Sequence, residues 1–128
     1  MALQSVKGTT SQIADAIVAG DIGIETSVTI TDNLYTAADL LAIIGETNKT
    51  ITLTYTTAGT PISALTADLV KILAQVNKYT GPLEATDPAT AEQLNYIAKK
   101  TTGKVTATLD AGTPISKATV DALKDVSS

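Results

Sequence analysis

The stretch that decides the fold is Ala58-Gly59-Thr60-Pro61-Ile62-Ser63, because the same six residues recur 53 positions later as Ala111-Gly112-Thr113-Pro114-Ile115-Ser116. Each copy follows a run of alternating residues typical of a strand and precedes a helical pattern. A second pair of matching segments, TAADL at 36–40 and TAEQL at 90–94, has an offset of 54. Self-similarity at such spacing is typical of repeat architectures. The sequence therefore predicts a duplicated pair of strand–helix units.

The repeat pattern divides the whole chain into consecutive units. No segment resembles a linker between two independent cores, so we expect one repeat domain over residues 1–128. We expect a partial N-terminal unit at 1–27, followed by about four strand–helix units at 28–50, 51–81, 82–104 and 105–128.

Strands are predicted where apolar residues alternate with threonine. Val28 and Ile30 face one way in such a strand, and the intervening threonines face the other; the runs at 50–55 and 105–109 have the same pattern. One face is therefore expected to be buried, with Tyr55 on it, and the other to be lined by hydroxyl groups. This threonine face is the candidate binding surface, formed by Thr29, Thr31, Thr52, Thr54, Thr106 and Thr108.

Helix starts are predicted from capping residues. Thr60-Pro61 and Thr113-Pro114 place a hydroxyl group before a proline, and Asp87-Pro88 does the same with a carboxylate. Thr36 and Asp39 have the spacing of a capping box. Each helix that follows has an apolar stripe, so each is expected to cover one strand.

Glycines and tyrosines are expected near the ends of these elements. Left-handed glycine caps are predicted to redirect the chain at Gly45, Gly81 and Gly103. The tyrosines are interpreted as gap fillers whose hydroxyl groups reach water, at positions 35, 55, 79 and 96.

Strands that alternate with helices at this spacing predict parallel pairing through right-handed crossovers. A doubly wound domain needs strands that are apolar on both faces, and these strands are apolar on one. The predicted fold is therefore a right-handed α/β solenoid. It has a single parallel sheet, helices on one side and an exposed threonine-rich face on the other.

Composition argues against several functional classes. The chain has no Cys and no His, which removes thiolate chemistry, the commonest general base and the commonest transition-metal ligands. Its net charge is −4 and its nine basic residues are scattered lysines, so a nucleic-acid partner is not expected. No apolar run has the ~20 residues of a membrane span. Residues 1–20 lack a secretory signal, so we expect any such signal to lie outside this segment.

The carboxylates that could suggest hydrolysis recur at equivalent positions of successive helices. Asp39, Asp68, Glu92 and Asp121 all fall early in predicted helices, where negative charge complements the helix dipole. Repetition in every unit is unlike a single active site, and no nucleophile or phosphate-binding motif is present. The sequence therefore predicts no enzyme, with no catalytic, cofactor or metal site.

Three segments resemble a known class of repeats: Thr101-Thr102-Gly103-Lys104-Val105-Thr106-Ala107-Thr108, residues 36–43, and the strand at 50–54. They resemble the α/β-solenoid repeats of large cyanobacterial and other bacterial surface proteins of the RTX type. The likeness covers about residues 28–128 and, more weakly, 8–20. It implies an elongated extracellular stalk or an adhesive segment at the cell surface. The chain lacks the Gly-Gly-x-Gly-x-Asp nonapeptide of such proteins, so calcium binding is not predicted.

Two functional hypotheses follow. The first is a structural or adhesive repeat segment of a large extracellular surface protein, with further repeats of the same protein or end-to-end copies as partners. The alternative is ice or glycan binding through the threonine face, with a surface polymer or glycan as the partner.

Overall fold

A computed structural model describes residues 2–109 and 126–127 of the chain. The second copy of the hexapeptide, the predicted Thr113-Pro114 cap and Asp121 lie outside the described residues. Strands and helices follow one another along the chain as β1 (Ser5–Gly8), α1 (Thr10–Ala19), β2 (Ser27–Ile30), α2 (Ala37–Ile44), β3 (Ile51–Leu53), β4 (Ile62–Ala64), α3 (Thr66–Gln75), β5 (Leu83–Ala89), α4 (Ala91–Lys100), β6 (Val105–Leu109) and β7 (Val126–Ser127).

Three of the four described helices begin with a capping box. Thr9, Thr36 and Thr90 each accept a hydrogen bond from the backbone N–H three residues later, and the side chain at that later position binds back to the cap. The predicted box at Thr36 and Asp39 is therefore confirmed. Helix α3 differs, because its N-cap is Leu65 and no side-chain hydrogen bond caps it there.

The predicted proline caps are wrong for both described helices. Thr60-Pro61 precedes the short strand β4, and α3 begins only at Thr66. Asp87 and Pro88 lie inside β5, and α4 begins after Thr90. In both places the residues after the proline pair with a neighbouring strand, and this non-local pairing outweighs the local helix-start signal.

All described strand pairs are parallel, as predicted, but they form two sheets rather than one. Strand order is β1-β2-β3 in the first sheet and β4-β5-β6-β7 in the second. An isolated parallel bridge also pairs Ile51 of β3 with Val76, so the first sheet continues beyond β3 by one residue pair. The expectation of one continuous sheet is therefore wrong.

The cause of the second sheet is a longer connection in the unit at 51–81. Strand β2 ends at Ile30 and α2 begins at Ala37, whereas β3 ends at Leu53 and α3 begins only at Thr66. The added length forms β4, which pairs with β5 of the following unit. One strand and one helix were expected in this unit, and the structure has two strands and a helix.

Strand β5 carries a proline in its interior. Its pairing with β6 shifts register between Glu84 and Pro88. Proline has no N–H to donate to a ladder, so such a shift is where a strand tolerates it.

The core is built from one repeated helix position and the apolar strand positions. The fourth residue of every described helix is almost fully buried: Ile13, Leu40, Leu69 and Leu94. These side chains belong to the same hydrophobic cluster as Val28, Ile51 and Val105 of the strands. The alternate strand positions are half-buried or exposed, so the predicted two-faced strand pattern is present.

The predicted left-handed glycine caps are absent at the three expected positions. Gly45 is right-handed, with φ −66°, and Gly20 is the glycine with positive φ among the described residues. Gly81 and Gly103 serve close packing instead, since a Cβ on Gly103 would overlap the Gly81 carbonyl. Two neighbouring connections thus approach each other more closely than side chains would allow.

Candidate functional site: the threonine face

The threonines of the first sheet lie on one half-exposed face. Thr29 and Thr52 are register partners in β2 and β3, and both are half-buried. Their partner in β1 is Lys7, so this row is not threonine throughout. Thr31 and Thr54 come directly after β2 and β3, and their backbone N–H groups continue the parallel pairing, donating to the carbonyls of Gly8 and Ile30 at 2.9 Å.

The threonines of the second sheet are exposed and have different neighbours. Thr106 pairs in register with Glu84, which pairs with Ser63 on its other side. The Ser63 hydroxyl donates to the Glu84 carboxylate at 2.8 Å. Thr108 pairs with Pro88.

The six predicted residues therefore form two groups in separate sheets. A lysine interrupts the row in one sheet, and a glutamate and a proline interrupt the rows in the other. Ice and crystalline polymers present regular lattices, which a regular array of threonines could match. Lys7, Glu84 and Pro88 interrupt that array. Ice or glycan binding by this face stays a prediction.

A different set of threonines is buried and ties neighbouring units together. The Thr47 hydroxyl donates to the carbonyls of Thr26 and Ile24, at 2.6 and 3.0 Å, from a side chain that is 1% exposed. Thr26 binds the Leu3 carbonyl in the same way, and Thr101 binds the Gly81 carbonyl at 2.7 Å. Each hydroxyl bonds to a carbonyl 20 to 23 residues earlier in the chain.

Sequence reasoning missed these threonines, although a signal was present. Thr47 and Thr101 are 54 residues apart, the same offset that relates Thr36 to Thr90. Both occur where a helix leads into a strand, where a buried hydroxyl can satisfy a carbonyl that secondary structure leaves unpaired.

Two aspartates cap helices of the preceding unit. The Asp32 carboxylate accepts from the Thr10 hydroxyl at 2.6 Å and from the Thr10 N–H at 3.2 Å. The Asp87 carboxylate accepts from the Thr66 N–H at 2.7 Å and from its hydroxyl at 2.8 Å. Asp87 thus caps α3 rather than α4, at a helix whose own N-cap residue, Leu65, makes no side-chain hydrogen bond.

Hydrogen bonds set the acidity of both carboxyl groups. The Thr10 hydroxyl holds the pKa of Asp32 below its ordinary value, and the Thr66 backbone N–H does the same for the pKa of Asp87. These capping contacts account for the direction of both shifts without a catalytic role.

Two of the four tyrosines contradict the sequence interpretation. Tyr35 and Tyr79 are buried, and their hydroxyl groups donate to the carbonyls of Tyr55 and Pro82 at 2.6 and 2.9 Å instead of reaching water. Tyr55, expected on the buried strand face, is 55% exposed because β3 ends at Leu53.

The carboxylates expected in first helical turns are found there. Asp39, Asp68 and Glu92 occupy the first turns of α2, α3 and α4. Among the residues described, no three His, Cys, Asp or Glu side chains come together as metal ligands.

An open groove of about 400 Å³ lies between α3 and α4, lined by Val70, Thr90, Glu92, Gln93 and Tyr96. Glu92 is the one carboxylate among the described residues that line it, and the Lys100 ammonium lies 5.3 Å from the centre of the Tyr96 ring. The Gln93 side-chain oxygen is engaged by the N–H of Thr90. Glycoside hydrolysis uses a pair of carboxylates, and the described part of the lining supplies one.

Comparison of the chain with protein-family models, curated proteins and solved structures finds no match. None of the helices in the described part of the chain has the length and apolar character needed to cross a membrane.

Proposed function

We propose that the chain is a structural or adhesive repeat segment of a large extracellular surface protein, folded as a right-handed α/β solenoid. The observation that carries this proposal is the recurrence of hydroxyl-to-carbonyl bonds between neighbouring units, at Thr26, Thr47 and Thr101. Such contacts stabilise a stack of units and form no pocket for a substrate.

The equivalence of the helices supports the same proposal. All four described helices bury their fourth residue, and α2 packs against α3 as α3 packs against α4. Each unit leaves an apolar surface that the next unit covers, which is how repeat proteins obtain stability from their neighbours.

The location and the adhesive role are supported by the resemblance to repeats of RTX-type surface proteins.

Cross-linking tests the stacking. The chain has no native cysteine, so pairs can be placed freely. A variant with Thr29→Cys and Thr52→Cys should be joined rapidly by a short thiol-reactive cross-linker, because these residues are register partners. The matched pair Thr29→Cys and Thr106→Cys, in different sheets, should react slowly. Equal rates for the two pairs would contradict the stacking.

Labelling of intact source cells tests the location. Antibodies raised against the chain should bind unpermeabilised cells, and brief external proteolysis should remove the signal. Labelling that requires permeabilised cells would refute an extracellular role.

A further inference from the structure

The outward face of the three ten-residue helices is formed by their second, sixth and ninth residues, and that of the eight-residue α2 by its second and sixth, all opposite the buried fourth residue. In α4 these residues are Glu92, Tyr96 and Lys99, and the two charged ones are exposed. Lys100 lies beside the Tyr96 ring. Helix α4 therefore has the polar outer surface expected of a helix in contact with water.

Helix α2 has no such polar surface. Its exposed residues are Ala38 and Ala42, and its one polar residue is Asp39. The Asp39 carboxylate is engaged by the hydroxyl and the N–H of Thr36. A helix that is apolar all round is normally covered on every side.

Apolar residues are also exposed on the helices on either side of α2, beside the polar Ser11 and Asp15 of α1 and Lys71 of α3. Val18 of α1 is 89% exposed, and Ala14 beside it is exposed as well. Ala67 and Ala74 of α3 are exposed on the other side. We call this surface the alanine face, and it consists of Ala14, Val18, Ala38, Ala42, Ala67 and Ala74.

Opposite charges flank the centre of the alanine face. Helix α2 lies between α1 and α3, and Ala42 is its sixth residue. The sixth residue of α1 is Asp15 and that of α3 is Lys71, and both are exposed. The helix on one side of Ala42 therefore carries a negative side chain at the equivalent position, and the helix on the other side carries a positive one.

We propose that the alanine face binds a second copy of this chain, with a two-fold axis running along α2. This symmetry places α1 of each copy over α3 of the other. The dimer therefore contains two equivalent pairs, each formed by Asp15 of one copy and Lys71 of the other. Ala42 meets Ala42 at the axis, where small side chains allow the helices to approach closely. A two-fold axis across the helices would instead place Asp15 over Asp15 and Lys71 over Lys71, and these like charges disfavour it.

The size of the alanine face predicts a weak, reversible dimer. Three helices spaced about 10 Å apart and about 15 Å long cover on the order of 400 Å² of each copy. Stable complexes bury about 800 Å² of each partner. Sedimentation velocity from about 10 μM to about 1 mM should therefore show a shift from monomer to dimer. A monomer at every concentration would overturn the proposal and mean that something else covers this face.

A charge at the axis tests the site. Ala42→Lys places two ammonium groups against each other and should raise the dissociation constant of the dimer at least about tenfold. Thr106→Lys adds the same charge on the exposed sheet face and should leave dimerisation unchanged. Circular dichroism checks that both variants are folded. Dimerisation of Ala42→Lys equal to that of the wild type would refute the proposal.

A charge exchange tests the direction of the axis. Asp15→Lys and Lys71→Asp each break both symmetry-related pairs, so each should weaken the dimer about two- to thirtyfold, which is twice the free energy of one exposed ion pair. The double variant restores both pairs and should recover wild-type affinity. Failure to recover would exclude the placement of α1 over α3.

A cysteine at the axis gives an independent readout. Ala42→Cys should oxidise to a disulfide-linked dimer, whereas Thr108→Cys, exposed on the sheet, should stay largely monomeric at the same concentration. Equal cross-linking of the two variants would indicate random collision and contradict the assigned face.

Discussion

The ring of Tyr35 packs edge to face against the ring of Tyr79, with centroids 6.4 Å apart and an angle of 76° between the planes. Tyr35 lies between β2 and α2, and Tyr79 lies between α3 and β5, so the contact joins two different units. Both hydroxyl groups bind backbone carbonyls. The pair thus supplies aromatic core packing in a chain with four tyrosines and no other aromatic residue.

Removal of the Tyr35 hydroxyl should destabilise the fold. Tyr35→Phe leaves the Tyr55 carbonyl without its donor, which should lower the free energy of unfolding by about 0.5–1.5 kcal/mol. Urea denaturation measures the change. Tyr55→Phe is the matched control, because its exposed side chain should change stability by less than about 0.5 kcal/mol. Equal losses in the two variants would argue against the hydrogen bond.

Alkaline pH should reduce the contribution of Tyr35 and Tyr79 to the stability of the fold. Burial raises the pKa of Tyr35 and the pKa of Tyr79 above the ordinary value of 10.0. The folded state then holds these protons where the unfolded state releases them. Stability is therefore fully present below about pH 10 and is lost as the pH rises above it. Urea midpoints from pH 8 to pH 11 should fall more steeply for the wild type than for Tyr35→Phe, and parallel curves would contradict this origin.

The buried hydroxyl of Thr47 should contribute more than any threonine of the sheet face. Thr47→Val keeps the shape but removes the 2.6 Å donor of the Thr26 carbonyl, at a cost of about 1–3 kcal/mol, while the Ile24 carbonyl keeps the N–H of Asn48. Thr108→Val, on the exposed face, should change stability by less than about 0.5 kcal/mol. Urea denaturation of both variants gives the comparison. A neutral Thr47→Val would mean that this bond between units adds nothing to stability.

Local patterns predicted the strands β2, β3 and β6 and one helix start because the deciding interactions are local. Alternation at 28–30 and 105–108 matches the observed burial, and the Thr36 box spans only three residues. The Thr60-Pro61 signal failed because the residues after it pair with β5, some twenty positions away. Parallel pairing depends on partners that a local pattern does not contain.

The threonine face was predictable only one strand at a time. Period-2 alternation identified which threonines point away from the core, but register decides that Lys7 joins Thr29 and that Glu84 joins Thr106. Local sequence patterns also did not predict the caps that Asp32 and Asp87 provide for α1 and α3, because each cap joins residues of two different units. The Thr-Asp pairs at 31–32 and 86–87 repeat, yet their targets lie in the preceding unit.

Acid should weaken the two aspartate caps. Hydrogen bonds from Thr10 and Thr66 lower the pKa of Asp32 and the pKa of Asp87 below the ordinary 3.8, so the stability they add is present above that pH and lost as the pH falls below it. The double variant Asp32→Asn and Asp87→Asn should therefore show a smaller fall in urea midpoint from pH 5 to pH 2.5 than the wild type. If the urea midpoint of the double variant falls with pH as steeply as that of the wild type, carboxylates other than these two cause the acid sensitivity.

Three glycine-to-alanine substitutions should distinguish two causes of lost stability, a clash with neighbouring atoms and an unfavourable backbone conformation. In Gly103→Ala the new Cβ overlaps the Gly81 carbonyl, which Thr101 already binds, so we expect a loss of about 1–3 kcal/mol. Gly20→Ala has open space but a φ of 80°, and should lose about 1 kcal/mol. Gly45→Ala has φ −66° and no atom nearer than 3.5 Å, and should be neutral or gain up to about 1 kcal/mol. Urea denaturation ranks the three. If Gly103→Ala proves as stable as Gly45→Ala, the connections at 81 and 103 do not approach as closely as described, and the stacking of these two units must be revised.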